Sequence, residues 1–126
     1  MSLEPQKHLE KALAKLHSAK ILLHHGMYDD AASRAYYAMF HSAKALLSKM
    51  GISPKSHEGV VKSFGEHLVK TGILPKALGE KLRRAKDLRE KGDYSPYYTT
   101  PEDVAKTLVE DAEEFYASIK GKLTET

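Results

Sequence analysis

Apolar residues recur about every three or four positions along most of this chain, which is the spacing of one face of an α-helix. The clearest case is the segment from Tyr28 to Leu47. Because a helix turns by about 100° per residue, one side of this segment is apolar and consists of Tyr28, Ala32, Ala35, Tyr36, Met39, Ala43 and Leu46. We expect this side to be the centre of the core, with the other helices packed around it.

The opposite side of the same helix is chemically mixed. It consists of Asp30, Ser33, Arg34, Tyr37, His41, Lys44 and Ser48, with Ala38 and Ala45 as its flanks. An aromatic ring, an imidazole and a guanidinium on one stripe are unusual for a face that meets only water. The small flanking residues also allow another backbone to approach closely. We therefore predict that this helix is buried on both sides, with the mixed stripe forming a groove or a contact between two copies of the chain.

Glycine, proline and capping residues divide the chain into helices. The predicted helices are closed by Gly26, Gly51, Gly72 and Gly92 and cover residues 4–24, 28–50, 57–70, 75–91 and 101–122. Ser56 and Thr100 are the predicted N-caps of the third and fifth helices. Residues 93–99, DYSPYYT, are expected to form a loop rich in tyrosine. Since the sequence contains no strand pattern, the prediction is an all-α fold, an up-and-down bundle of about five helices in one domain over residues 1–126.

The composition narrows the class of protein. The chain has 126 residues, which suits one domain, and 41% of them are hydrophobic. It contains no cysteine, so disulfides and thiolate metal sites are excluded. No apolar run approaches the roughly 20 residues that span a bilayer, and the N-terminal segment lacks the apolar core of a signal peptide. We therefore expect a soluble, cytoplasmic protein with no membrane partner.

Familiar metal and nucleotide motifs are absent from the sequence. The seven histidines form no H-E-x-x-H zinc motif, and we expect them to be scattered over the surface. There is also no P-loop and no glycine-rich turn of the dinucleotide-binding type. The net charge of +3 and the isoelectric point of about 9.0 permit contact with nucleic acid without requiring it. The expectation is a protein without metal or cofactor, in which side chains and helix N-termini would hold any phosphate.

Three stretches of the chain together resemble the HEPN domain, named for higher eukaryotes and prokaryotes nucleotide-binding. They are SRAYYAMFHSAKALL at residues 33–47 with DDAA shortly before it, SHEGVVKSF at residues 56–64, and the R-x-x-x-D-Y motif at residues 89–94. The resemblance covers nearly the whole chain and is greatest to the small stand-alone prokaryotic HEPN proteins. It implies a helical bundle that commonly dimerises and is often paired with a minimal nucleotidyltransferase as a toxin–antitoxin couple.

The resemblance also implies a site. Active HEPN proteins are metal-independent ribonucleases that use an arginine and, a few residues later, a histidine at the start of a late helix. Here Arg89 is present, but the position expected for the histidine falls within Asp93, Tyr94 and Ser95, and no histidine follows His67. An aspartate or a tyrosine at its ordinary pKa is poorly suited to exchange protons near neutral pH. Binding is therefore favoured over cleavage, in a groove lined by Arg34, Tyr37, His41, Arg89, Asp93 and Tyr94.

Two alternatives stay open beside this hypothesis. Arg34 and His41 are separated by six residues and match the ribonuclease signature as text, although they lie on the second helix rather than a late one. In that case the chain is a metal-independent ribonuclease toxin that uses Arg34 and His41 or Arg89. The other alternative is a structural dimer without a ligand. The preferred hypothesis is a nucleotide- or partner-binding homodimer, with a nucleotide or RNA and a nucleotidyltransferase as candidate partners.

Overall fold

A computed structural model describes residues 2–125 of the chain and consists of helices joined by short connections. The five α-helices are α1 Glu4–His24, α2 Tyr28–Lys49, α3 His57–Phe64, α4 Lys76–Tyr94 and α5 Glu102–Leu123. The predicted third helix keeps its α-helical form only to Phe64 and continues as a π-helical turn, Gly65–Val69. No strand occurs within residues 2–125. The prediction of an all-α bundle is confirmed.

The second helix lies at the centre of the bundle, because α2 contacts each of the other four α-helices. Its apolar side is buried as predicted, and Tyr36, Met39 and Ala43 are each 0% exposed. Its mixed side is less enclosed than predicted. Tyr37 and His41 are half-buried and Arg34 is exposed, so the expectation of burial on both sides is only partly met. The mixed side is instead left open as the wall of a groove.

Three of the four predicted glycine turns are confirmed. Gly26, Gly51 and Gly72 have φ angles of 74°, 78° and 82°, the left-handed region that glycine enters without strain. Ser56 is the N-cap of α3 as predicted, since its Oγ accepts a hydrogen bond from the backbone N–H of Gly59 at 2.8 Å. These turns explain why short segments join the helices.

The prediction that Gly92 ends the fourth helix is wrong. The helix α4 continues to Tyr94, so Asp93 and Tyr94 belong to its last turn rather than to a loop. A Cβ atom at Gly92 would lie 3.2 Å from Asp29 Oδ1 and 3.3 Å from Thr100 Oγ1. Glycine is therefore used here for close packing, not for a left-handed turn. The continuation carries Asp93 and Tyr94 one turn beyond Arg89 on the same helix.

The predicted capping role of Thr100 is also wrong. The residue before α5 is Pro101, and no side chain caps that helix. Instead, the backbone N–H and the hydroxyl of Thr100 both donate to Asp29 Oδ1, at 2.8 and 2.6 Å. Because Asp29 lies in the first turn of α2, this pair of bonds ties the segment before α5 to the start of α2.

Within residues 2–125, no helix is both long enough and apolar enough to cross a bilayer.

Candidate functional site

A cavity of about 620 Å³, here called the polar groove, lies between α1, the mixed side of α2 and the end of α4. All six side chains that the sequence assigned to a groove line it: Arg34, Tyr37, His41, Arg89, Asp93 and Tyr94. Its remaining walls come from Lys11, Lys15, Asp30 and Ser33. The structure thus brings together residues that are as far apart in the sequence as Lys11 and Tyr94.

Arg89 is the most deeply placed charge in the polar groove. It is only 6% exposed, and its guanidinium carbon lies 5.0 Å from the ring centroid of Tyr36 and 5.4 Å from that of Tyr37. Its nearest carboxylate is loose, because Asp93 Oδ2 lies 3.6 Å from Nη1. The Nε atom of Arg89 has no hydrogen-bond partner within residues 2–125. A buried guanidinium with an unused donor is costly unless a ligand supplies the missing acceptor.

Aromatic rings pack against the guanidinium of Arg89 and against one another. Burial raises the pKa of Tyr36 well above its usual range, against the opposing charge of Arg89, so its phenol stays protonated. The oxygen of Tyr36 lies 2.7 Å from Nδ1 of His57, whose ring stacks on Phe40 with a centroid distance of 4.5 Å. Burial, followed by the charge of Arg89, lowers the pKa of His57, so this imidazole is neutral and shares one hydrogen bond with the phenol. These contacts hold the ring of Tyr36 in place, and the guanidinium of Arg89 lies over that ring.

Two histidines meet at the side of the groove formed by α1 and α2. The Nδ1 atoms of His8 and His41 are 3.2 Å apart, and both side chains are half-buried. Burial, followed by coupling to the neighbouring His8 and by the charge of Lys44, lowers the pKa of His41 to about 4. Burial and Lys44 also lower the pKa of His8. Both rings are therefore neutral near pH 7, and the prediction of scattered surface histidines is wrong for this pair.

A carboxylate lies beside the histidine pair. Glu4 is the acidic group nearest to it, with Oε1 3.6 Å from His8 Nε2. Within residues 2–125, however, no group of three histidine, aspartate or glutamate side chains is placed to hold a metal ion. The chemistry available at this point of the groove is that of hydrogen bonding and proton acceptance.

The mouth of the polar groove carries an excess of positive charge. Lys11, Lys15 and Arg34 line it, and none of them forms a salt bridge within the described part of the chain. Burial, followed by repulsion from the charges of Arg34 and Lys11, lowers the pKa of Lys15. An anion placed among them would relieve that repulsion. The mouth is therefore suited to a phosphate or another anion with several acceptor oxygens.

Sequence reasoning missed the contribution of α1 to this site. His8, Lys11 and Lys15 follow one another at intervals of three and four residues, which places them on one face of a helix. That spacing was available as a signal in the sequence. What the sequence did not offer was the angle at which α1 crosses α2, and only that angle brings His8 against His41.

A second cavity, here called the apolar groove, lies on another side of the bundle. It encloses about 660 Å³ between α3, the π-helical turn, α4 and the start of α5. Its walls are mainly Val61, Val69, Leu88 and Val104, with charged residues of α4 at the rim. Of those, Arg83 donates to both oxygens of Glu58 at 2.8 Å. The apolar groove therefore has similar size but no buried charge in need of a partner among the residues that line it.

Comparison with known proteins identifies the family. The sequence profile of the HEPN domain matches residues 5–122. The Methanocaldococcus jannaschii protein named "Putative toxin MJ0605" is 42% identical over 122 residues, which cover 97% of this chain and 90% of that protein. The crystal structure of TT1696 from Thermus thermophilus has the same fold, with a TM-score of 0.82 at 20% identity over 96% of this chain and 99% of that one.

A further solved structure, ST0689, is described as an archaeal HEPN homologue. It superposes with a TM-score of 0.69 at 22% identity, over 98% of this chain and 100% of that one. At this level of identity the two solved structures establish the fold alone. The profile match and the Methanocaldococcus jannaschii relative go further, and they show that the chain belongs to the HEPN domain family.

Proposed function

We propose that the polar groove binds the phosphate of a nucleotide or of RNA. The observation that carries the proposal is Arg89, which is 6% exposed and has a donor, Nε, without a partner within residues 2–125. A guanidinium held in place by neighbouring rings loses little conformational freedom when it binds a planar or tetrahedral oxyanion. A phosphate in the groove would give the guanidinium an acceptor and displace the loose contact to Asp93.

The charges around Arg89 support the same ligand class. The groove is lined by four cations, Lys11, Lys15, Arg34 and Arg89, against two carboxylates, Asp30 and Asp93, which leaves an excess of two positive charges (4 − 2). Tyr94 is 74% exposed at the edge of the groove, where its ring is free to stack on a base. Cations for the backbone and an open aromatic ring for the base are the usual means of binding single-stranded nucleic acid.

The late-helix residues favour binding over cleavage. A guanidinium stays protonated at all physiological pH values, so Arg89 stabilises charge but does not shuttle protons. Asp93 and Tyr94 lie one turn after Arg89 on α4, and neither has the imidazole chemistry that the family signature uses at this point. We infer that α4 provides the anion site without providing an acid–base pair.

The protein is proposed to act in a toxin–antitoxin-like pair, as a homodimer and with a minimal nucleotidyltransferase as its partner. Two observations support this. The Methanocaldococcus jannaschii relative carries the word toxin in its name, and the family resemblance associates such proteins with nucleotidyltransferases. Tyr94 and Tyr97 are 74% and 97% exposed, and exposed aromatic side chains of this kind suit contact with a second chain. Light scattering over a tenfold dilution series at about micromolar concentration tests the dimer, and a monomer mass throughout would contradict it.

A second candidate function is metal-independent ribonuclease activity. The observation in its favour is the neutral His41, which lies in the same groove as Arg34 and Arg89. A neutral imidazole is able to take a proton from a ribose hydroxyl, and the two guanidinium groups are able to stabilise the developing phosphorane charge. Arg34 and His41 are well separated along α2. The proton acceptor His41 and the charge-stabilising Arg34 would therefore act on different parts of the ligand.

One experiment separates the two functions. Wild-type protein, Arg89→Gln and Lys81→Gln are mixed with a short fluorescent RNA in EDTA, and both anisotropy and gel mobility of the RNA are recorded. Lys81 is the matched control because it lies on the same helix but is tied to Asp111 and Glu114 at 3.5 and 2.8 Å. We expect binding without cleavage, weakened roughly 10- to 100-fold by Arg89→Gln, as for one hydrogen bond to a charged group, and unchanged by Lys81→Gln.

The other outcomes are equally informative. Robust cleavage in EDTA that disappears in His41→Ala would replace the binding function with the ribonuclease. Equal loss of RNA affinity in Arg89→Gln and Lys81→Gln would contradict the proposal that the polar groove binds the RNA. If the wild-type protein neither binds nor cleaves RNA or free nucleotides, the structural dimer becomes the better description.

A further inference from the structure

The contact between His8 and His41 fixes where their protons lie. Their Nδ1 atoms are 3.2 Å apart and the rings are nearly parallel, with centroids 5.5 Å apart and an interplanar angle of 23°. Two nitrogens at this distance share one proton, since two N–H groups pointing at each other would repel and two lone pairs would form no bond. One histidine therefore donates from Nδ1 and the other accepts.

Glu4 determines which histidine donates. It lies one turn before His8 on α1, and its Oε1 is 3.6 Å from Nε2 of His8. The carboxylate favours the tautomer of His8 that carries its proton on Nε2, which leaves Nδ1 of His8 with a lone pair. His41 must then donate from Nδ1. Its own Nε2 is consequently unprotonated.

The surroundings of His41 stabilise that arrangement. The charged groups acting on the ring are Lys11 and Lys15 from α1 and Lys44 from α2, and all three are cations. A positive potential favours a lone pair over an additional proton. No hydrogen bond within residues 2–125 involves Nε2 of His41, and the residue lines the polar groove. The groove thus contains one neutral acceptor nitrogen among side chains that are mostly donors.

We propose that Glu4 and His8 are positioning residues that hold His41 as a hydrogen-bond acceptor, and that His41 Nε2 recognises a ribose hydroxyl of the ligand. This inference rests on the proposed phosphate-binding function and specifies its ligand as a ribonucleotide rather than a deoxyribonucleotide. A phosphate oxygen is only an acceptor and belongs with the cations. A 2′-hydroxyl is a donor, and its presence is what distinguishes RNA from DNA at a given position.

The tautomer is testable in the free protein, without any ligand. Imidazole nitrogen chemical shifts, measured by NMR on isotope-labelled protein at neutral pH, separate protonated from unprotonated nitrogens. We expect an unprotonated Nε2 for His41 and a protonated Nε2 for His8. Glu4→Gln should move both signals towards a mixture of tautomers, whereas His17→Gln, an exposed histidine on the same helix, should leave them unchanged. A protonated Nε2 on His41 in the wild type would overturn the inference.

The ligand assignment is tested with RNA and DNA oligonucleotides of the same sequence. One neutral hydrogen bond is expected to make the RNA bind about three- to tenfold tighter. His41→Leu and His8→Phe should bring the RNA-to-DNA affinity ratio close to one, while His17→Gln should preserve it. Arg89→Gln should weaken both oligonucleotides by the same factor and leave the ratio intact, because phosphates are common to RNA and DNA.

The two proposals fail in different ways. Equal binding of RNA and DNA by the wild type overturns the ribose assignment alone and leaves the phosphate site standing. Absence of binding to either oligonucleotide overturns the proposed function, and ribose selection with it. A ratio that survives His41→Leu assigns the discrimination to another residue and also overturns the inference.

Discussion

The two long sides of α2 differ in how their side chains are satisfied. On the apolar side, Met39 and Ala43 are 0% exposed and are held by packing against the other helices. On the mixed side, Tyr37 and His41 are only half-buried, and Arg34 is exposed at the mouth of the polar groove. One side therefore supplies stability and the other supplies unsatisfied donors and acceptors. A single helix is therefore both the centre of the core and the wall of the polar groove.

The same difference separates the two grooves of the bundle. They enclose similar volumes, about 620 and 660 Å³, so size does not distinguish them. In the apolar groove, Arg83 already has both oxygens of Glu58 as partners at 2.8 Å. In the polar groove, Arg89 has a carboxylate at 3.6 Å and, within residues 2–125, an unpaired Nε. A buried cation with a donor that lacks an acceptor is a better indication of a ligand than volume is.

The largest expected effect concerns the apolar side of α2. Met39→Ala removes a fully buried side chain from the centre of the core, and we expect it to lower the free energy of unfolding by about 2–5 kcal/mol. Urea denaturation followed by circular dichroism measures this. Ser33→Ala, a half-buried residue of the polar groove, is the comparison. Equal midpoints for the two variants would mean that the sides of α2 have been assigned the wrong way round.

The next effect is a loss of folding stability in acid, which comes from the mixed side of α2. The pKa of His41 is about 4 in the folded protein and 6.5 for a free imidazole, so the unfolded chain binds more protons between these values. Stability is therefore full above pH 6.5 and falls as the pH drops from 6.5 towards 4. His8 and His57, whose pKa values are also lowered, act in the same direction.

In acid, the wild type loses unfolding free energy, and we expect His41→Gln to abolish about 1–3 kcal/mol of this loss. Urea midpoints at pH 7 and pH 5 for the wild type, His41→Gln and His17→Gln provide the measurement, and His17 is the exposed control on α1. A wild-type stability that does not change across this pH range would show that His41 is not buried among positive charges.

A smaller effect concerns the mouth of the polar groove. Lys15→Gln should leave the unfolding midpoint within about 0.5 kcal/mol of the wild type, because the residue forms no salt bridge in the described part of the chain. It should nevertheless reduce the slope of log affinity for RNA against log salt concentration by about the amount expected for one lost phosphate contact. Lys20→Gln is a matched control, since Lys20 Nζ is already 3.1 Å from Glu113. A salt dependence that changes equally in both variants would place the RNA elsewhere.

The smallest effect is expected at Lys44. Its Nζ atom lies 5.4 Å from the ring centroid of Phe40, a contact worth about 0.5 kcal/mol at a partly exposed site. Lys44→Ala should therefore change the urea midpoint only slightly, in contrast to Met39→Ala. A loss of several kcal/mol would show that the mixed side of α2 carries core packing that its half-buried side chains do not reveal.

The sequence was sufficient to predict the bundle and six of the ten residues that line the polar groove, for separable reasons. Helical periodicity identified the two sides of α2, and Gly26, Gly51 and Gly72 identified the turns. The end of α4 was predicted wrongly because Gly92 serves close packing against Asp29 and Thr100, and a glycine in the sequence does not reveal which of its two uses applies. The pairing of His8 with His41 depends on the packing of α1 against α2, which local sequence patterns do not encode.

The most direct test of RNA binding in the polar groove is to follow residues of both grooves in one titration with RNA. Amide chemical shifts of isotope-labelled protein are followed while a short RNA is added, with wild type and Arg89→Gln measured in parallel. We predict saturable shifts at Arg34, Tyr37, His41 and Tyr94, which line the polar groove, and none at Val61, Val69 and Gly79, which line the apolar groove. The shifts should be strongly reduced in Arg89→Gln. Saturable shifts confined to the apolar groove, or shifts of equal size in the variant, would contradict the claim that the buried Arg89 makes the polar groove the binding site.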